Sequence, residues 1–240
     1  MEIWIYLTLF SIAVSYSIVG HGGASGYMTL MSLIQIPSNI IRSTVLLMNI
    51  LVAGMAFFFY KKHHFHSWKL SLPLITGSIP GVFFGALLNL SDPFYRKVLA
   101  AILIIGIIRL LIPDKKDAKT HAPPFLQGAL IGLLIGWIAG LIGIGGGILL
   151  SPIIMILKWG DSKQTAATSA VFILINSIIG LSVQLGKGIP FHENTLQFSL
   201  CVLVGGIIGG YLGASKLHQK WVKNILLIGL AFGVIKLILM

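Results

Sequence analysis

The sequence is poor in charge and almost without cysteine. Only 10% of its 240 residues are Asp, Glu, Lys or Arg and 56% are hydrophobic, whereas soluble proteins average about 25% charged residues. This composition excludes a large water-soluble domain. The single cysteine, Cys201, lies in an apolar stretch, which excludes disulfide frameworks and cysteine-based metal or iron–sulfur centres. We expect no cofactor and no metal site.

Acidic residues are also scarce, and the formal net charge is +11. The basic residues are scattered over short gaps between apolar stretches and form no continuous basic face, so the pattern does not indicate a nucleic-acid partner. Basic residues beside apolar segments instead suit the anionic surface of a lipid bilayer. We expect the lipid bilayer and a small anionic substrate to be partners of the chain, and no nucleic acid.

Apolar stretches recur from end to end, many of them near the roughly 20 residues that cross a hydrocarbon layer. We therefore predict an all-α integral membrane protein with about ten inserted helices. The predicted segments are 3–19, 27–36, 43–60, 70–90, 94–112, 125–142, 148–158, 165–185, 194–214 and 219–239. The second segment of each half is short enough to predict a broken helix that ends near the middle of the bilayer.

The two halves agree in residues as well as in hydropathy. Glycine-rich turns at 20–26 and 143–147 open the two short segments. We predict two repeats, 1–112 and 125–240, joined by a polar loop at 113–124. Further matching positions are Gly77 with Gly205, Gly81 with Gly209, Gly85 with Gly213, Ala86 with Ala214, and Asn49 with Asn176.

Five segments per half predict that the second repeat is inverted relative to the first. The basic residues give an independent test, because cytoplasmic loops carry an excess of Lys and Arg. With the 61–69 and 113–124 loops in the cytoplasm, twelve of the seventeen basic residues lie inside and five lie outside. This arrangement predicts an N-terminus outside the cell.

Glycine turns that open a helix direct backbone N–H groups and the positive end of the helix dipole to one place, which is typical of an anion site. In inverted-repeat transporters such turns lie at the substrate site. The alternative is close helix packing, which we favour for the six glycines at four-residue spacing in the long segments. The turn residues predicted to bind substrate are Gly22, Gly23, Ser25, Gly145, Gly146 and Gly147.

Polar side chains inside membrane segments are energetically costly, so they are candidates for function. A matched polar set follows the glycine turn of each half, and its hydroxyl and amide groups can donate hydrogen bonds to an oxyanion. Hydrogen bonding between helices is the alternative for each residue. The set consists of Ser43, Thr44 and Asn49 in the first half and Thr168, Ser169 and Asn176 in the second.

Three further residues carry titratable or charged groups near these segments. His21 lies in the first glycine turn, where it either relays a proton near neutral pH or hydrogen-bonds a backbone carbonyl. Arg42 and Lys163 flank the third segment of each half. They either attract anions into a vestibule or anchor the helices at the membrane surface.

The second glycine turn carries a resemblance to a known family. The run Gly140–Pro152, GLIGIGGGILLSP, followed by Ala166-Ala167-Thr168-Ser169 and Asn176, resembles the sulfite exporter TauE/SafE family, also called the toluene sulfonate uptake permeases. The resemblance covers essentially the whole chain. The first copy departs from the pattern, because His21, Ala24 and Ser25 interrupt the glycine run.

The resemblance implies a multi-pass protein of a bacterial plasma (inner) membrane that transports sulfur-containing anions such as sulfite, sulfonates, sulfoacetate or thiosulfate. We expect a secondary transporter of a small anion, and a homo-oligomer is possible. Export is favoured, because an interior-negative potential drives anions outward by about 2.3 kcal/mol per charge for each 100 mV.

Two other classes of protein remain as alternatives. An anion channel would use the same site without alternating closure. A membrane-embedded enzyme or assembly factor would need clustered acids or histidines within the membrane. None of the six Asp and Glu lies inside a predicted long segment, so we predict that the protein is not an enzyme.

Overall fold

The computed structural model describes residues 3–88 and 120–218, with a few isolated helical positions beyond them. This part of the chain is all-helical. Its helices are α1 (Ile3–Ile18), α2 (Ala24–Leu33), α3 (Ser38–Lys62), α4 (Trp68–Leu87), α5 (Phe125–Ile142), α6 (Gly147–Ile156), α7 (Ser162–Gly186) and α8 (Thr195–Tyr211), which continues as the π-helical segment Leu212–Lys216.

Five of these helices are long and apolar enough to cross a membrane. They confirm the prediction of an all-α protein with several membrane segments. The predicted segments 94–112 and 219–239 lie largely outside the described residues, as does most of the 113–124 loop. The candidate spans are Ile40–Lys62, Trp68–Leu87, Phe125–Ile142, Ser162–Gly186 and Thr195–Lys216.

Local sequence signals set where the helices begin. Gly23 and Gly146 precede α2 and α6 with φ angles of 94° and 84°, a left-handed conformation that glycine adopts without strain. Asp161 precedes α7 and accepts hydrogen bonds from the backbone N of Lys163 and Gln164, both at 2.8 Å. Gln164 in turn accepts from Asp161 N, which completes a capping box.

Two pairs of helices are in direct backbone contact along glycine stripes. A Cβ added at Gly81 of α4 would lie 2.3 Å from the carbonyl oxygen of Leu133 in α5. A Cβ added at Gly209 of α8 would lie 2.2 Å from the carbonyl oxygen of Val14 in α1. Small residues allow this close approach of helices in membranes. The packing role predicted for the six stripe glycines is therefore confirmed.

Helices α3 and α7 form the centre of the described bundle. They pack against each other, α8 packs on α3, and α4 packs on α7. The short helices follow the same pattern, with α2 on α3 and α6 on α7. The pairs α1–α8 and α4–α5 surround this centre. Both glycine turns consequently face the middle of α3 and α7.

Two lysines fix the ends of α4 and α8 relative to α7. Lys163, at the start of α7, donates from Nζ to the carbonyl oxygen of Ala214 at 3.0 Å. Lys187, at the end of α7, donates to the carbonyl oxygen of Ala86 at 2.8 Å. The 25 residues of α7 span about 37 Å at 1.5 Å per residue. The C-terminal ends of α4 and α8 therefore lie at opposite ends of α7.

Candidate functional site

The two glycine turns have matching backbone conformations. Gly20 and Gly23 have φ angles of 73° and 94°, and Gly143 and Gly146 have φ angles of 81° and 84°. In each turn the last of these left-handed glycines immediately precedes a ten-residue helix, and the second turn has one more left-handed glycine, Gly145, with a φ angle of 72°. Glycine has no side chain to cap the first-turn N–H groups, so the positive helix ends remain open to an anion.

Asn49 of α3 lies between the turns of the two halves. A Cβ added at Gly22 would lie 2.3 Å from its Oδ1 atom, and one added at Gly145 would lie 3.3 Å from its Nδ2 atom. Asn49 is fully buried, yet Oδ1 has no hydrogen-bond partner and Nδ2 is 3.5 Å from Ser177 Oγ. The structure thus brings both turns and this amide to one place.

Asn176 of α7 is held in a defined orientation beside the second turn. Its Oδ1 atom accepts a hydrogen bond from Ser78 Oγ at 2.8 Å, and its Nδ2 atom donates to the carbonyl oxygen of Gly145 at 3.1 Å. An amide nitrogen carries two hydrogens. Because Ser78 fixes the amide, the second N–H of Asn176 is left for another acceptor.

A chain of buried hydrogen bonds joins His21 of the first turn to the second half. His21 Nε2 is 2.8 Å from Ser151 Oγ in α6, and Ser151 Oγ is 2.8 Å from Ser169 Oγ in α7. The other ring nitrogen, Nδ1, is buried without a partner. The imidazole therefore has one hydrogen-bonded nitrogen and one that is available to a ligand or a proton.

Two other predicted residues, Thr168 and Ser25, differ in their hydrogen bonding. Thr168 is fully buried and its hydroxyl has no hydrogen-bond partner. Ser25, in the first turn of α2, is 2.8 Å from the hydroxyl of Tyr16 in α1. An unpaired buried hydroxyl costs free energy unless a ligand or water satisfies it. Thr168 therefore has an unpaired hydroxyl, whereas the hydroxyl of Ser25 is hydrogen-bonded to Tyr16.

Ser43 and Thr44 form hydrogen bonds with residues at the connection between α7 and α8. Ser43 donates to the carbonyl oxygen of Pro190 at 2.8 Å, and Thr44 is 3.0 Å from the hydroxyl of Thr195. The backbone N of His192 also donates to Thr44. These contacts fasten the start of α3 to the connection between α7 and α8, so both hydroxyls already have hydrogen-bond partners within the protein.

The two flanking basic residues have different surroundings. The stem of Arg42 packs against the second turn, since a Cβ added at Gly143 would lie 3.5 Å from Arg42 Cγ. The residue as a whole is half-buried. Lys163 instead binds the Ala214 carbonyl and lies 4.6 Å from the centre of the Phe65 ring. Arg42 suits a vestibule, and Lys163 suits anchoring.

Sequence reasoning missed four buried polar residues around the turns. Each is a polar side chain within an apolar helix, which is the signal that identified the asparagines. Within the described part of the chain no three His, Cys, Asp or Glu residues form a potential metal cluster. The missed residues are Ser78, Ser151, Ser177 and Gln184.

Comparison with known proteins places this sequence in a class of membrane transporters. The sulfite exporter TauE/SafE family model matches residues 5–237, so the chain belongs to that family. It is 30% identical to "Probable membrane transporter protein y4hK" of Sinorhizobium fredii, over 97% of this chain and 96% of that protein. No solved structure matches the chain.

Further relatives carry the same kind of name. The chain is 29% identical to "Probable membrane transporter protein YdhB" of Bacillus subtilis, over 88% of each protein. It is 33% identical to "Probable membrane transporter protein YunE" of Bacillus subtilis, over 51% of this chain and 44% of that protein. The predicted family and the class of multi-pass membrane transporter are therefore confirmed.

Proposed function

We propose that the protein is a secondary transporter that moves a small oxyanion, a sulfur oxyanion or organosulfonate, through the space between its two glycine turns. The observation that carries the proposal is the position of Asn49 between Gly22 and Gly145, with a buried Oδ1 atom that has no partner. Amide oxygen and nitrogen positions are interchangeable by rotation, so an anion that enters this space can meet the amide N–H groups.

The surrounding groups suit an anion better than a cation. Two uncapped helix N-termini point their dipoles towards the turns, and the described site contains no carboxylate. Thr168 and the free N–H of Asn176 supply further donors. Arg42, whose stem packs against Gly143, adds a positive charge to this part of the protein without placing a fixed counter-ion among the substrate ligands. Such a site can bind an anion and still release it.

The proposal includes two inverted repeats, with the second segment of each repeat a short helix that enters the membrane and returns. The helix contacts support the inverted repeats. Helix α4 of the first half packs on α5 of the second half, and their equivalents, α8 and α1, also pack on each other. Lys163 and Lys187, at opposite ends of α7, donate hydrogen bonds to the carbonyl oxygens of the equivalent residues Ala214 and Ala86, which also supports the inverted repeats. The N-terminus then lies outside.

Export is the proposed direction in a bacterial inner membrane. The interior-negative potential favours outward movement of an uncompensated anion by about 2.3 kcal/mol per charge for each 100 mV. Uptake would need a co-transported cation, and His21 is the proposed proton carrier because its Nδ1 atom is buried and unpaired beside the turns. In that case a pH gradient would drive transport.

Proteoliposomes test the proposed function. Purified protein should move radiolabelled sulfite, thiosulfate or an alkyl sulfonate with saturation, and excess unlabelled anion on the opposite side should accelerate exchange. Transport of a carboxylate of the same size is measured for comparison, as a substrate from a different class of anion. Non-saturating flux without exchange would identify an anion channel. Absence of flux for all the sulfur anions would refute the proposal.

A further inference from the structure

A small cavity adjoins the second glycine turn. It lies between α3, α4, α5 and α7, and its lining includes Gly143, Gly145, Asn176, Gly180 and Gln184. It extends from the turn towards the C-terminal ends of α4 and α7, where the connection 187–194 lies. The space open to the centre of a water molecule is about 10 Å³, which is room for about one water molecule.

Gln184 places an amide side chain on this path. The residue is 2% exposed, and it lines the cavity. An amide can both donate and accept hydrogen bonds, so Gln184 can present a donor to a molecule in this space. Gln184 is two helical turns beyond Asn176 on α7, so the two amides follow each other along the same wall.

The charge around the cavity favours an anion. The cavity lining contains no Asp or Glu, and the stem of Arg42 packs against Gly143 in its wall. The free N–H of Asn176 and the amide of Gln184 are hydrogen-bond donors. An oxyanion that leaves the glycine turns towards the 187–194 connection therefore meets donors along this wall.

We propose that this cavity is a second oxyanion subsite on the path between the glycine turns and the membrane face carrying the 187–194 connection, and that Gln184 determines its specificity. This inference rests on the proposed function. In the described conformation the path is closed to anything larger than water, and helices α4 and α7 must separate to admit an oxyanion. The subsite is thus occupied only during passage.

Kinetics in proteoliposomes test the subsite. Transport of [³⁵S]sulfite and [³⁵S]thiosulfate is measured against concentration for wild type, Gln184→Met, which removes the amide, and Gln184→Glu, which adds a negative charge at nearly constant volume. Gln127→Met, at an exposed position near the start of α5, is the matched control. Thermal unfolding in detergent shows whether each variant is folded.

We expect Gln184→Met to raise the KM for sulfite about tenfold or more, as for loss of a hydrogen bond to a charged group. Gln184→Glu should raise it further, and Gln127→Met should leave it unchanged. The KM ratio of sulfite to thiosulfate should also change. If Gln184→Met does not fold, Gln184→Asn gives the same test, because its shorter side chain moves the amide away from the cavity.

The outcomes separate the subsite from the proposed function. Wild-type transport with unchanged KM values in folded Gln184 variants overturns the subsite and leaves the proposed function intact. A fall in maximum rate alone, with unchanged KM and anion preference, also overturns it. No transport of either anion by the wild type overturns both.

Discussion

Replacing Gly22 by alanine should disturb the site through one atom. The backbone of Gly22 is outside the left-handed region, so alanine can adopt its conformation. The new Cβ would lie 2.3 Å from Asn49 Oδ1, whereas real Cβ contacts are essentially never below 3.0 Å. The Asn49 amide must therefore move away from Gly22.

The cost of this movement can be estimated. Overpacking of a tight site typically costs about 1–3 kcal/mol, and the weak contact of Asn49 with Ser177 at 3.5 Å contributes little to the loss. We expect Gly22→Ala to destabilise the fold by that amount and to abolish saturable anion transport. Gly186→Ala is the control, because a Cβ added there has nothing within 4 Å.

A double-mutant cycle identifies the cause. In an Asn49→Ala background the obstructing amide is absent, so adding Gly22→Ala should cost less than about 1 kcal/mol, and the coupling free energy should approach the whole single-mutant penalty. Thermal unfolding in detergent gives the stabilities, and proteoliposomes give the transport. An equal penalty in both backgrounds, or normal transport by Gly22→Ala, would refute the proposed contact between turn and amide.

Three further predictions concern packing, topology and coupling. Gly81→Ala should lower the midpoint of thermal unfolding well below that of Gly186→Ala, because its Cβ meets the α5 backbone; equal midpoints would contradict the stripe contact. Single cysteines replacing the exposed Lys62 and Glu193, in a background without the native cysteine, should react with an impermeant maleimide from opposite faces, and labelling from one face would exclude inverted repeats. With a clamped potential and an imposed pH gradient, His21→Gln should lose any response that the wild type shows; an equal response would exclude His21 as the proton carrier.

The helices were predictable because a backbone within lipid must satisfy its own hydrogen bonds, so long apolar segments become helices. Some helix starts were not predictable, because hydropathy does not reveal the left-handed conformation of Gly23 or the capping box formed by Asp161 and Gln164. The predicted segments begin at 27 and 165, whereas α2 and α7 begin at Ala24 and Ser162.

The candidate site was partly predictable for a similar reason. Asn49 and Asn176 stand out as amides inside apolar helices, and both contact a glycine turn. Ser43 and Thr44 share that signal, yet their partners come from a connection almost 150 residues later, which spacing along one helix does not reveal. Gln184 shares the signal too, but it lies at the edge of a predicted segment, where polar residues are common.

The two glycine stripes divide the bundle differently from the sequence repeats. Helix α1 is in backbone contact with α8, and α4 is in backbone contact with α5, so each tight pair combines one helix from each half. Backbone contacts of this kind leave no side chains that can rearrange, and a transport cycle that preserves them moves the pairs as units. The first turn then travels with α1 and α8, and the second travels with α4 and α5. In the proposed transport cycle, opening of the site is therefore a separation of these two units.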